Sequence, residues 1–382
     1  MTPAQLLVLL KPGVPNYWQV ASGYWPRWRS HLQRISTANS GITPTASRSA
    51  MGATLTGTSK WASGALGTDG KIYGIPLDST DILIIDPAAG TATRSAMGAT
   101  LTGTNKWRSV ALGPDGKIYG IPYSSTDILI IDPVAGTATR SAMGATLTGS
   151  NKWSGGVLGP DGKIYGIPLD STDILIIDPA AGTATRSAMG ATLTGTNKWL
   201  GGALGSDGKI YGMPSDSTDI LIIDTAAGTA ARSAMGATLT GSFKWDGGAM
   251  GPDGKVYGVP LTATDILIID PVAGTASLSA MGATLTGTNK WYGATIGSDG
   301  KIYSMPANST DILIIDTVTG TATRSALGAT LTGTTKWFGG TLGQDGNIYG
   351  IPYSSTDILI IAWSGDVAFN QNVALSGYFN KL

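Results

Sequence analysis

The 382-residue chain contains no cysteine and no glutamate, and His31 is its only histidine. Without thiols it has neither disulfides nor thiolate metal sites. Zinc sites built on histidine, Ser-His-Asp triads and a glutamate general base lack the residues they need. No cofactor and no metal is expected. Charged side chains make up only 13% of the chain, and 25 lysines and arginines balance 25 aspartates. No long apolar run is present either: Leu6 to Leu10 is too short for a membrane span or a signal core, and no basic stretch precedes it.

What is present is repetition. Trp61, Trp107, Trp153, Trp199, Trp245, Trp291 and Trp337 are spaced 46 residues apart. DILII recurs in step from Asp81 to Asp357, and RSAMGATLTG in close variants from Arg48 to Arg324, with Leu278 in place of one arginine. Periods of 20–50 residues mark arrays, solenoids or propellers. Within the unit that starts at Trp153, the apolar run Gly155 to Leu158 meets the turn Gly159-Pro160-Asp161-Gly162. The runs Lys163 to Ile167, Asp173 to Asp178 and Thr183 to Ala188 follow, punctuated by Pro168 and by Pro179-Ala180-Ala181-Gly182. Branched residues between proline and glycine stops predict four strands, A to D, and no helix.

The chain ends choose between a ring and an open solenoid. The series begins with a strand-D sequence, Thr45 to Ala50, and stops after strand C at Ile361, before Ala362-Trp363. A ring in which the first strand completes the last unit uses every piece, whereas an open stack exposes both ends. The expected fold is therefore all-β: a closed seven-bladed β-propeller over residues 43–362, with four-stranded blades of 46 residues and the N-terminal strand completing the last blade. VLGPDGKIYGIP followed by DILIID resembles the strand A, B and C pattern of NHL-type and kelch-like repeats over this whole region. That resemblance implies the fold and leaves function open, because propellers host lectins, scaffolds and enzymes. No blade carries a marked excess of positive charge, so no nucleic-acid-binding face is expected on the propeller.

Units this alike make their differences legible. The residue after the tryptophan is different every time: Ala62, Arg108, Ser154, Leu200, Asp246, Tyr292 and Phe338. A second variable pair follows the strand-B proline, from Leu77-Asp78 through Tyr123-Ser124 to Tyr353-Ser354. Alternating strand directions place the D–A entry and the B–C loop on one face of the disc, so both variable spots share it. Arg108, Asp246, Tyr292, Phe338, Tyr123 and Tyr353 are the expected ligand-binding residues near the tunnel mouth. The competing explanation is that these positions are exposed and drifted freely. The tryptophans suit inter-blade wedges better than sugar-stacking platforms. The lysine before each, Lys60 to Lys336, reads as a solvated or loop-pairing charge, and the Asp-Gly turns from Asp69 to Asp345 as tight turns rather than calcium loops.

Residues 1–42 lie outside the repeat and carry Lys11, Arg27, Arg29 and Arg34 without an acid, interleaved with aromatics. Trp18, Trp25, Arg27, Trp28 and Arg29 are expected to dock a partner protein, since Trp and Arg are favoured anchors. Residues 363–382 form a tail, and its end, Gly377 to Leu382, resembles the ends of some bacteriophage structural proteins. A surface poor in charge and rich in Gly, Ser and Thr, together with the absence of a secretion signal, gives the leading expectation. This is a non-enzymatic virion component, a phage tail-fibre or decoration protein. It would be tied to other virion proteins through residues 1–42 and would present the propeller to a host-surface glycan or protein. The alternatives are a cellular lectin or interaction scaffold in the cytoplasm and, less favoured, an enzyme using Asp246 and Arg108, for which a lone aspartate is thin provision.

Overall fold

A computed structural model describes residues 43–363, and among them every regular element is a β-strand. The docking residues Trp18, Trp25, Arg27, Trp28 and Arg29, and the tail beyond Trp363, lie outside the described residues. Blade 1 consists of β2 (Trp61–Leu66), β3 (Ile72–Pro76), β4 (Ile82–Asp86) and β5 (Thr91–Ser95), hydrogen-bonded in that order as an antiparallel meander. The same set recurs around the ring. The seventh sheet has the order β1-β28-β27-β26, in which β1 (Pro44–Ser49) from the start of the chain closes onto β28 (Ile358–Trp363). The register runs from Pro44 opposite Trp363 to Ser49 opposite Ile358, the closure that the chain ends predict. One boundary shifts. Strand C of blade 7 continues through Ala362 to Trp363, because β1 is there to pair with it. Trp363 then packs edge-on against Tyr303 of blade 6, with ring centroids 5.6 Å apart.

The strands form where the sequence puts branched residues, and their sides pack against neighbouring blades. Trp107 sits with Tyr73, Ile75 and Ile82 of blade 1 and with Ile118 and Leu129 of blade 2. All seven repeat tryptophans are at most 2% exposed, so they are wedges rather than platforms. Their indole N–H groups donate to the carbonyl of the aspartate that opens DILII, as Trp61 does to Asp81 at 2.7 Å. Burying one tryptophan removes roughly 150–250 Å² from water, which stabilises by roughly 4–6 kcal/mol before conformational entropy is counted.

The repeat lysine is not solvated. Lys60 is 4% exposed, and its Nζ donates to Gly57 O at 2.7 Å and to Tyr353 O and Ser355 O at 3.0 Å. The last two carbonyls belong to the B–C loop of blade 7, so the ammonium staples one blade to the next. An ammonium with three donors and three carbonyl acceptors is satisfied without a counter-ion. The Asp-Gly turn is held by its own carboxylate: Asp69 accepts from the Lys71 N–H at 3.2 Å and from the Tyr73 hydroxyl at 2.8 Å.

Candidate functional site

Strand A is the innermost strand of each blade and pairs only with strand B, so its other edge faces the axis. Just after the tryptophan its register against strand B shifts, for example between Trp153 and Gly156 and between Trp199 and Gly202. This bulge turns the next side chains toward the axial mouth. It also brings neighbouring chains into backbone contact. A Cβ on Gly155 would lie 2.7 Å from Gly201 Cα, and one on Gly201 would lie 2.7 Å from Gly247 Cα. These glycines have positive φ, which L-residues adopt only under strain.

The bulge gathers the expected ligand residues into one cluster. Phe338 stacks on Tyr292 with centroids 4.4 Å apart and on Tyr353 at 5.8 Å. The Arg108 guanidinium lies 5.1 Å from the Phe338 ring centre and 5.3 Å from that of Tyr123. It also donates to Asp246 Oδ2 at 3.3 Å. All six predicted residues thus meet over the axis, together with Ala62, Leu77, Leu169, Leu200 and Leu261. They form a cap rather than an open cleft. Ala62, Ser154, Leu200, Asp246 and Phe338 are buried, whereas Arg108, Tyr292, Tyr123 and Tyr353 are half-buried. Drift at exposed positions therefore does not explain the variation.

Geometry explains it better. Seven equivalent positions converge on one axis, and close packing forbids both seven large side chains and seven small ones. Charge adds a second restriction, because one buried cation needs one anion. An unequal set of Phe, Tyr, Leu, Arg and Asp with Ala and Ser fills the mouth and leaves no net charge. The B–C backbone stays regular beneath it: Leu77, Tyr123 and Leu169 each donate to the carbonyl of their own blade's repeat lysine at 2.9 Å. Their side chains are thus free to differ.

Burial pushes the Asp246 carboxyl above the ordinary carboxylate range, and the Arg108 charge opposes that shift without cancelling it. Burial works against the Arg108 charge too, but Asp246, Tyr123 and Tyr292 hold the guanidinium firmly protonated. Burial, with Asp246 nearby, raises the Tyr292 hydroxyl to about 12. Among the described residues no group of three or more His, Cys, Asp or Glu comes together as a metal site. Beneath the cap lies a cavity of about 300 Å³ that runs along the axis, with Arg108, Ser154, Asp246 and Phe338 at its closed end. Sequence reasoning placed these residues at the mouth of a central tunnel but did not foresee the glycine contacts at the axis. The recurring glycine two residues after the tryptophan was the available signal.

No family model matches the chain, and no curated protein matches it. Solved structures do resemble it. A streptogramin B lyase is 17% identical with a TM-score of 0.63, covering 84% of this chain and 98% of its own. Virginiamycin B lyase from Staphylococcus aureus is 15% identical with a TM-score of 0.64, covering 84% and 99%. The extracellular domain of a candidate one component system from B. thetaiotaomicron is 13% identical with a TM-score of 0.58, covering 80% of this chain and 40% of that one. At these identities the likeness defines the fold class alone: a seven-bladed β-propeller.

Proposed function

We propose that the chain is a non-catalytic structural component of a virus particle, a phage tail-fibre or decoration protein. In this reading the propeller points outward and engages a host-surface glycan or protein through the axial cap. The observation that carries recognition by the cap is the convergence of half-buried Tyr123, Tyr292, Tyr353 and Arg108 at the centre of one face. Tyrosine and arginine are the side chains that most often dominate recognition, and aromatic faces suit sugar rings and apolar side chains alike. The ion pair and ring stacks hold the patch rigid before contact, which lowers the entropy lost on binding. The cap carries one acid, Asp246, and it is paired with Arg108 rather than with a second carboxylate. This favours recognition over two-carboxylate hydrolysis.

A second reading keeps the same face on a scaffold free of any particle. It is supported by the likeness to a solved domain described as extracellular and belonging to a one component system.

The test is a screen of the purified full chain against bacterial surface polysaccharides, whole cells and a glycan panel, beside a Tyr123→Ala/Tyr353→Ala variant. Selective binding that the variant loses supports recognition by the cap. Undiminished binding in a folded variant removes the cap from the reading. Immunogold labelling of particles from the source then separates the two readings, since a free scaffold labels none.

A further inference from the structure

We infer that the axial cavity beneath the cap is a second binding site, entered from the opposite face, for a small neutral polyhydroxylated molecule the size of one sugar ring. The inference does not depend on the role proposed for the cap.

The cavity's walls motivate it. Below the bulge, side chains of strand A point at neighbouring blades rather than at the axis: a Cβ on Gly64 would meet Ile351 and Thr341 of blade 7, and Ala65 packs into the cluster between blades 1 and 2. The axis therefore sees the unpaired edges of seven strands. An unpaired strand edge is a row of N–H donors and C=O acceptors. The protein already bonds hydroxyls to it. Thr341 Oγ1 donates to Gly64 O at 2.9 Å across a blade boundary, and Thr295 Oγ1 donates to Gly340 O in the same way.

The closed end adds directed polar groups. Arg108 Nε is buried without a hydrogen-bond partner, and the contact between Arg108 and Asp246 is long for a charge-assisted bond at 3.3 Å. The guanidinium keeps donors to spare and the carboxylate keeps lone pairs. Adjacent hydroxyls on a ring meet both needs, accepting from Arg108 and donating to Asp246, and the Phe338 ring beside them offers an apolar face. A neutral ligand also leaves the ion pair balanced, which an anion or a cation would not. The volume of about 300 Å³ lies at the small end of ligand sites. The cap closes the variable face, and the cavity runs toward the A–B turns, where Gly251 and Pro252 of blade 5 form part of its wall.

The experiment combines saturation-transfer NMR on the full chain, using D-glucose, D-galactose and myo-inositol, with a crystal structure of the wild type soaked in whichever binds. The expected result is density in the cavity against Arg108 and Asp246. Binding should also be at least tenfold weaker in an R108M/D246L variant that retains the wild-type circular dichroism. Absence of transfer from all three probes overturns the inference. So does density confined to the cap, or undiminished binding in the variant. Should the variant fail to fold, the wild-type crystal still decides. Because Arg108 also belongs to the cap, the position of the density, rather than the loss in the variant, separates this cavity from the cap, and a failed glycan panel leaves that result standing.

Discussion

Arg108 and Asp246 stand 138 residues apart, in blades 2 and 5, and their side chains meet over the axis at 3.3 Å. The only cation and the only anion among the seven residues that follow the repeat tryptophans are thus joined across the ring. Removing one leaves the other charged and buried, a change that typically costs about 3–5 kcal/mol. Arg108→Ala should lose about that much in urea unfolding followed by tryptophan fluorescence. The R108M/D246L double variant should stay within about 1–2 kcal/mol of wild type, since apolar side chains of similar size replace buried pairs well. If the double variant is as unstable as the single one, the pair is not a coupled unit.

The glycines around the axis permit a second comparison. Gly201 has φ +73° and would place a Cβ 2.7 Å from Gly247 Cα, whereas Gly52 has φ +85° and open space around it. Both alanine variants carry the left-handed backbone penalty of roughly 1–2 kcal/mol. Only Gly201→Ala must also displace backbone, which adds about 1–3 kcal/mol. Calorimetry of the two proteins isolates that difference. Equal melting temperatures would show that the strand A edges have room to spare.

The fold was legible because its signals repeat: each of seven tryptophans, DILII runs and Asp-Gly turns sits at the same place in its unit. Closure was legible from a strand D at Thr45 with no strand A before it. The cap was only half legible. Variation at Arg108, Asp246, Tyr292 and Phe338 marked the positions, but their burial depends on how seven units meet at one axis, which no single unit encodes. The lysines misled for a related reason. Lys60 looks like a surface charge in its own segment, and two of its three carbonyl partners come from a blade nearly 300 residues away, at Tyr353 and Ser355.

Blade 5 departs from the others at Leu278, which is 37% exposed. In blade 1 the equivalent Arg94 bonds Asp81 at 2.9 Å and Thr54 O at 3.1 Å, and lies 5.4 Å from the Trp61 ring centre. Leu278→Arg should rebuild this arrangement against Asp265, Thr238 and Trp245. Exposed ion pairs contribute little, so a gain of about 0.3–1 kcal/mol is expected, read as a small rise in melting temperature that added salt erodes. A loss of stability would mean that the apolar contact of Leu278 outweighs the pair.

Stability should also depend on pH in a way set by two sets of seven residues. Burial pulls each repeat lysine down to about 8. The unfolded lysine titrates near 10.4. From about pH 8 upward the unfolded chain therefore holds more protons than the folded one, and stability rises with pH. The repeat tyrosines act in the opposite sense. Burial and the hydrogen bond to the turn aspartate raise each hydroxyl above its ordinary value. Their stabilisation is complete below about pH 10, the unfolded value, and is lost as the pH climbs toward their folded values. The two trends cancel, and stability is greatest, near about pH 10. Calorimetric melting temperatures from pH 7 to 12 test this. A steady decline from pH 8 would show that the three carbonyls around each ammonium hold its proton against the desolvation that burial imposes.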